Sequence, residues 1–388
     1  MYNIQTLNKI AACGTDVFNK ANYNISDTVE KPDAIMVRSA AMHDMVFAPN
    51  LLAIARAGAG VNNIPVDRCA EEGICVFNTP GANANAVKEL VIAGLLLASR
   101  KVADALAWVP SLKNEGDEVG KLVEKGKSQF AGPEIQGKTL GIIGLGAIGI
   151  LVANAAVALG MKVVGTDPFL SVNAALKLSN KVSVVPTQKD VFEAADYLTI
   201  HVPYNNETKG FIGKDAIASM KDGVRILNFA RGELVDTDAL LEALESDKVA
   251  AYVTDFPNAK VIGAKNVTAL PHLGASTPES EDNCAVMAAE ELIDYIENGN
   301  IRNSVNLPNA EMAATGEKIC IIHKNVPDTI SKITSILGNA GVNIENMLSN
   351  SKKDYAYTMI DATGKDIDDD TVKKISAVDN VIRVRVIK

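Results

Sequence analysis

Residues 139–167 read TLGIIGLGAIGILVANAAVALGMKVVGTD, and this stretch decides the fold. Thr139–Ile143 is short, apolar and isoleucine-rich, as a buried strand requires. Gly144, Gly146 and Gly149 follow in G-x-G-x-x-G spacing, with Ala147 and Ile148 opening an apolar helical pattern. In such a loop the first glycine makes the tight turn, the second admits a pyrophosphate, and the third lets helix and strand pack closely. The helix N-terminus then turns unpaired N–H groups toward the phosphate. The next apolar run, Lys162–Thr166, ends in Asp167, 18 residues beyond Gly149. An acid there accepts hydrogen bonds from a ribose 2′-hydroxyl and repels a 2′-phosphate, which predicts NAD rather than NADP. The alternative for Asp167 is a surface turn residue before Pro168. Leu140–Met161 carries no charge over 22 residues, enough to cross a bilayer. Four of its five glycines bunch at the front, however, which favours strand, turn and buried helix over a membrane span.

Outward from this stretch, 388 residues predict two or three domains. A net charge of −9 argues against a nucleic-acid or anionic-membrane partner, and 5% aromatics argue against a stacking platform for single strands. An anionic ligand must therefore meet a local basic pocket. The five cysteines are odd in number and form no C-x-x-C pair, which excludes a disulfide framework or zinc ribbon and predicts no metal. The usage suits a reducing, cytoplasmic compartment. The opening MYNIQTLNKIAACG has no basic region followed by an apolar run, so no signal peptide is expected.

Strand candidates before the glycine loop are Ala34–Val37, Leu51–Ala57 and Ile74–Phe77, followed by a helical stretch over 85–100 and a polar, exposed excursion over 110–133. After the loop, strands are expected at 197–201, 225–228, 250–255 and 266–269, separated mostly by helical patterns. This alternation indicates a doubly wound parallel sheet. A long helix is expected over 279–298, then a linker over 303–316. The remainder reads strand (318–323), helix (329–340), strand (343–349), strand (355–362), helix (368–377), strand (381–387), a ferredoxin-like βαββαβ module.

Of four histidines, His272 in LPHLGAST sits at a strand end between Pro271 and Gly274, where α/β enzymes place their chemistry. His201, in HVP with Val202 and Pro203, also ends a strand and suits the lining of the cofactor cleft; His43 receives no role. Arg231, in NFARGELVD after Ala230, is either a solvated cap or a bidentate carboxylate clamp, and the adjacent glycine favours the clamp.

The order RAGAGVNNI, GLGAIG, DPF, HVP, NFARGELVD, TDF, PHLGAST resembles the NAD-dependent D-2-hydroxyacid dehydrogenases over nearly the whole chain. The terminal module resembles an ACT domain, which points to the branch of that family that oxidises 3-phospho-D-glycerate to 3-phosphohydroxypyruvate in serine synthesis. The resemblance implies a flavodoxin-like substrate domain (1–88 with 286–306), an NAD-binding Rossmann domain (89–285), a regulatory module (316–388), and catalysis in a cleft. It implies that Arg231 grips the substrate carboxylate, that His272 exchanges the hydroxyl proton, and that Asp255 orients the nicotinamide carboxamide. It implies further that main-chain N–H groups of Ala59, Gly60 and Val61 hold the carboxylate, and that Arg38 and Ser39 meet the phosphate, with Arg56 and Lys88 as nearby cations. His323, Asn325 and Asn343 match side chains that bind L-serine at a subunit contact in regulated relatives, so a homodimer or homotetramer is implied. Asp328 stands where such modules usually have glycine, free either to crowd a ligand or to cap the next helix.

One expected part is missing. Family members usually carry a glutamate in a stretch like DVFxxEP to orient the histidine, whereas residues 255–260 here are DFPNAK. Asn258 and Lys260 are the substitutes at hand. The alternatives are a glyoxylate/hydroxypyruvate reductase or D-lactate dehydrogenase, which need no phosphate pocket, and, in a different class, an NAD-sensing co-repressor. Retention of both Arg231 and His272 speaks against the last.

Overall fold

The computed structural model describes every residue except Ala314, which falls within the expected 303–316 linker. The chain forms two compact units, Met1–Ala82 with Glu281–Lys388, and Asn83–Ser280.

The first unit opens with β1 (Tyr2–Leu7), β2 (Tyr23–Ser26), β3 (Ala34–Val37), β4 (Ala53–Arg56) and β5 (Cys75–Asn78). They form a parallel sheet in the order β2-β1-β3-β4-β5, the flavodoxin-like arrangement. AIMV in β3 is buried throughout, as expected for a strand covered on both faces. β1 and β2 carry Asn3, Gln5, Asn24 and Ser26 between apolar residues, so a search for apolar runs passes over them.

The second unit carries β6 (Thr139–Ile143), β7 (Lys162–Thr166), β8 (Val182–Val184), β9 (Tyr197–Ile200), β10 (Val224–Asn228), β11 (Val249–Thr254) and β12 (Val267–Ala269). The parallel sheet runs β12-β11-β10-β9-β6-β7-β8, so the strand order reverses between β6 and β9. Ligands of doubly wound sheets bind outside the carboxyl ends at such a switch point. The helix Ala84–Ser99 belongs entirely to this unit, since its Val87, Val91 and Leu95 pack with Leu227, Phe229 and Val253 of the sheet. The unit therefore begins at Asn83 and ends at Ser280, not at 89 and 285. The polar excursion is helical over Val119–Gly126 and in short 3-10 turns, with Leu112 as its buried anchor.

The first unit closes with β13 (Glu317–Lys324), β14 (Asn343–Lys352), β15 (Tyr355–Thr363) and β16 (Val381–Ile387), an antiparallel sheet ordered β14-β15-β13-β16. Strand alternation gives it two apolar faces. Ile319, Ile321 and Ile360 meet Ile333, Leu337 and Ile375 of the module's two helices. Cys320, Ile322, Tyr357 and Met359 join Phe77, Tyr295 and Ile296 of the preceding domain. The helix Pro278–Asn298 ends against this sheet, and its last carbonyls, which lack intrahelical donors, are met by side chains. Arg385 donates to the oxygens of Tyr295 and Ile296 at 3.1 and 2.8 Å, and Lys318 to that of Asn298 at 2.6 Å. Residues 304–307 of the segment expected as a linker are packed rather than loose. Val305 donates its N–H to the Val76 carbonyl, and Asn306 brackets the β5 edge through the Val76 N–H and the Ile74 carbonyl.

Candidate active site

In the second unit the candidate residues other than Lys88 lie just past the carboxyl end of a strand, in the loop or in the first turn of the helix that follows it. Gly144–Gly149 follow β6, Asp167 follows β7, His201–Pro203 follow β9, Ala230 and Arg231 follow β10, Asp255 follows β11, and His272 follows β12. Parallel pairing brings these loops to one edge of the sheet.

The glycine loop has the shape a dinucleotide needs. Gly144 has φ +95° and donates its N–H to the Thr166 carbonyl at 2.9 Å. A Cβ on Gly149 would collide with the carbonyl oxygen of Gly144, whereas one on Gly146 would meet open space. Gly146 thus leaves room for a phosphate beside the helix Ala147–Ala158. Asp167 accepts the Leu145 N–H at 2.9 Å and the Phe169 N–H at 2.8 Å, so the acid expected to meet a ribose holds the loop in place.

Two buried polar atoms at this edge have no partner among the described residues, Nδ1 of His201 and Oδ1 of Asp255. The His201 Nε2 pairs with the Thr199 hydroxyl at 3.0 Å, and burial pushes the ring pKa down to about 4, so the imidazole is neutral at physiological pH. Asp255 is 1% exposed, and its Oδ2 accepts the Gly274 N–H at 3.0 Å. Burial raises its carboxyl pKa above the usual carboxylate value, against the lowering effects of that bond and of His272. An orphaned carboxylate oxygen and an orphaned imidazole nitrogen on one sheet edge fit a ligand with polar groups, and a carboxamide brings the donors that the carboxylate lacks.

The catalytic candidates hang on one frame. Asn228, fully buried, donates to the Arg231 carbonyl at 2.8 Å and accepts the Ala230 N–H at 3.2 Å. Thr254 donates its hydroxyl to the Asn228 carbonyl at 2.9 Å and accepts the Phe256 N–H at 3.0 Å. The Phe256 ring lies 5.3 Å from the Arg231 guanidinium carbon and 4.4 Å, centroid to centroid, from the His272 imidazole. Sequence reading passed over Asn228, Thr254 and Phe256, although all three stand inside quoted motifs. Neither substitute for the missing glutamate serves the histidine. Asn258 donates to the Thr237 hydroxyl and accepts the N–H groups of Lys260 and Val261, closing its own turn. Lys260 pairs with Asp238 at 2.6 Å.

In the first unit, Arg38–Ser39 follow β3 and Ala59–Val61 follow β4, again at one carboxyl edge. Asn8, in the left-handed region at φ +69°, accepts the N–H groups of Ser39 at 3.0 Å and Ala40 at 2.6 Å. Asn78 donates to the Ala59 carbonyl at 2.6 Å. Arg38 pairs with Glu281 at 2.6 Å, while Arg56 donates to the Arg38 carbonyl at 3.1 Å. In the second unit Lys88 lies 3.6 Å from Glu89.

In the module, His323 is buried and both ring nitrogens are engaged, Nδ1 with the Lys324 carbonyl at 2.7 Å and Nε2 with the Thr358 hydroxyl at 2.9 Å. Asn325 is exposed and donates to the Lys353 carbonyl. His323 is level with Ala356 on β15, whereas Asn343 is level with Thr363, seven residues along that strand. At about 3.4 Å per residue, one chain cannot bring Asn343 to His323. Asp328 has φ +70°, which explains why glycine suits the position. Its side chain makes no cap and pairs instead with Lys332 at 3.2 Å.

Among the described residues no cluster of acids, histidines and cysteines could hold a metal, and no helix is long and apolar enough to cross a membrane.

Residues 92–274 match the family described as D-isomer specific 2-hydroxyacid dehydrogenase, NAD binding domain. The chain is 38% identical over 293 residues to the D-3-phosphoglycerate dehydrogenase of Archaeoglobus fulgidus, covering 73% of this chain and 53% of that protein. It thus spans about half the length of the first curated relatives it matches. A Schizosaccharomyces pombe protein provisionally named D-3-phosphoglycerate dehydrogenase is 32% identical over 377 residues, covering 89% of this chain and 77% of that one. Among solved structures, NAD+-bound 3-phosphoglycerate dehydrogenase of Entamoeba histolytica superposes with a TM-score of 0.61 at 27% identity, over 80% of this chain and 99% of that one. A glyoxylate reductase from Paecilomyes thermophila gives 0.63 at 26% identity, over 78% and 98%. With its nucleotide loop, its Arg231–Phe256–His272 cluster and these likenesses, the chain belongs to the D-isomer-specific 2-hydroxyacid dehydrogenase family.

Proposed function

We propose that this protein oxidises 3-phospho-D-glycerate to 3-phosphohydroxypyruvate with NAD. The observation that carries the reading is the placing of Arg231 and His272 around one aromatic ring, on the sheet edge that bears the glycine loop. When bound, NAD supplies the hydride acceptor. The Ala147 end of the loop helix would hold its pyrophosphate, Asp167 its ribose, and the free Oδ1 of Asp255 its carboxamide. Arg231 clamps the substrate carboxylate and draws electron density from the oxygen that becomes the ketone. His272 takes the hydroxyl proton as the C2 hydride leaves, and returns it in the reverse direction. Arg38 and Ser39, steadied by Asn8, receive the phosphate, and the N–H groups of Ala59–Val61 are offered to the carboxylate. Residues 1–82 with 281–306 act as the substrate domain and 316–388 as the regulatory module. The sparse cysteine usage of the sequence, with no C-x-x-C pair, supports a reducing, cytoplasmic location.

NADH formation with 3-phosphoglycerate, glycerate, lactate and glycolate, and NADH loss with the matching 2-oxo acids, tests the reading. No turnover of the phosphorylated substrate would overturn it. One observation favours a second reading, an unphosphorylated 2-hydroxyacid substrate: Arg38 is already neutralised by Glu281. A preference for glyoxylate or hydroxypyruvate in the same panel would establish that instead. Serine regulation through His323, Asn325 and Asn343 requires two chains, because of the strand register above. Calorimetric titration with L-serine, together with the sedimentation of the free protein, decides it; no heat and no inhibition would leave the module as a structural element.

A further inference from the structure

The family's usual carboxylate partner for the histidine is missing from DFPNAK, and the ring nitrogens of His272 have no hydrogen-bond partner among the described residues. What His272 does touch is Phe256, with centroids 4.4 Å apart and planes inclined by 44°. We propose that Phe256 is the positioning residue of this site, its ring replacing the missing carboxylate by orienting His272 and Arg231 together. The proposal rests on the dehydrogenase reading above.

Phe256 is well placed for this. Its N–H is fixed to Thr254, Thr254 to Asn228, and Asn228 to the Arg231 main chain, so the ring is carried by the frame that also carries the clamp. A partly buried aromatic ring at this distance restricts the imidazole to few rotations, which a solvent-facing histidine otherwise lacks. The negative face of a benzene ring also favours a cation nearby, both the guanidinium at 5.3 Å and the imidazolium that forms when the proton is taken. The charged groups around the imidazole are Asp255, whose carboxylate interacts with His272, and Arg231 beyond the ring. The ring thus holds apart two groups that carry like charge once His272 is protonated, while Asp255 supplies the opposing field. A carboxylate would fix one tautomer strongly; a ring fixes orientation and leaves the tautomer free. Hydride transfer then depends on the shape of residue 256, not on its hydrogen-bonding capacity.

The test compares Phe256→Leu with Phe256→Tyr and Phe256→Trp. In Phe256→Leu, kcat should fall about tenfold while the KM for NAD stays within about twofold, because the nucleotide loop is untouched. The tyrosine or tryptophan variant should recover most of that loss. Losing the ring removes support for the imidazolium that forms during turnover, and the pH dependence of both directions reads that loss. The acid limb of hydroxyacid oxidation, which needs neutral His272, should move down. The alkaline limb of ketoacid reduction, which needs the protonated form, should move down too. Histidine NMR titration of the ligand-free protein, assigned with His272→Ala, reads the same shift without substrate. Unchanged kcat and titration in Phe256→Leu overturn the proposal, as does a tyrosine variant impaired as severely as the leucine one. Absence of turnover in the wild type would defeat the dehydrogenase reading alone, since the NMR titration still decides whether the ring governs His272.

Discussion

The Arg38 guanidinium donates to Glu281 at 2.6 Å, with both side chains a little under half exposed (44% and 43%). The cation expected to meet a substrate phosphate is therefore already paired within its own fold. An exposed pair of this kind contributes only about 0.2–1 kcal/mol, so a phosphate able to accept a fork of charge-assisted bonds can displace the carboxylate at small cost. Two opposite effects follow. Arg38→Ala should raise the KM for 3-phosphoglycerate about tenfold and leave that for glycerate nearly unchanged. Glu281→Gln should lower the KM for the phosphorylated substrate, because it releases the guanidinium. Equal losses on both substrates in Arg38→Ala would assign that side chain to the fold, through its pair with Glu281.

Asp255 is held at a cost. Burial raises its carboxyl pKa above the usual value although Gly274 donates to it, and Oδ1 is unpartnered. A raised pKa means that proton binding favours the folded state below the unfolded value, and that this contribution is lost as pH rises through the folded value. At neutral pH the charge therefore works against stability. Asp255→Asn should raise the melting temperature of the ligand-free protein, while NAD binding weakens about tenfold through loss of the charged acceptor. A melting temperature that falls at neutral pH would show instead that the carboxylate is a net structural support.

The glycine loop and its flanking strands were legible because three independent signals agree there. The apolar runs, the glycine spacing and the following acid each have a physical cause, and β6 and β7 fall at 139–143 and 162–166 as read. Phe256 was not legible, because a single aromatic after a motif acid gives no periodicity; only the folded loop brings it to His272. Asn8 was missed for a similar reason. Its work lies in a left-handed turn after β1, a strand whose alternating polar residues hide it from an apolar scan. The 303–309 segment has the composition of a linker yet seals the β5 edge, since asparagine and serine amides and hydroxyls bond to backbone as readily as to water. The pairing of Arg38 with Glu281 spans most of the chain and left no local trace.

Asp167 holds the glycine loop, and substitution separates that task from the ribose contact proposed for it. Its two oxygens hold the N–H groups of Leu145 and Phe169, and the proposed ribose contact would draw on the same carboxylate. Asp167→Ala should weaken NAD about tenfold or more and narrow the gap to NADP, as both loop order and the ribose contact are lost. Asp167→Asn retains one acceptor oxygen and removes the charge, so it should bind NAD better than the alanine variant while tolerating NADP. Equal use of NAD and NADP by the wild type, measured by NADH and NADPH formation, would remove the nucleotide role from Asp167 and leave the loop role.

Glu291 should make stability fall as pH rises. It lies on the helix Pro278–Asn298 at 8% exposure, with Oε1 accepting the Asn303 amide at 2.8 Å and Oε2 buried without a partner. Burial is the main cause that pushes its pKa up to about 8; Glu290 adds to the rise and the Asn303 bond opposes it. The side chain is then mostly protonated at neutral pH, and its unpaired oxygen carries no full charge. With the folded pKa above the unfolded one, its proton-linked stabilisation is complete below the ordinary glutamate value, about 4.3, and is lost as pH rises through about 8. The loss amounts to a few kcal/mol at most, since each pKa unit is worth about 1.4 kcal/mol and relaxation toward solvent reduces the whole. Glu291→Gln keeps a carbonyl oxygen for Asn303 and has nothing to ionise. Thermal unfolding followed from about pH 5 to pH 9 should show the wild type losing several degrees that the glutamine variant keeps, with the two curves meeting at the acid end. Parallel curves for the two proteins would show that Glu291 stays charged and finds a partner, and that the decline belongs to other groups.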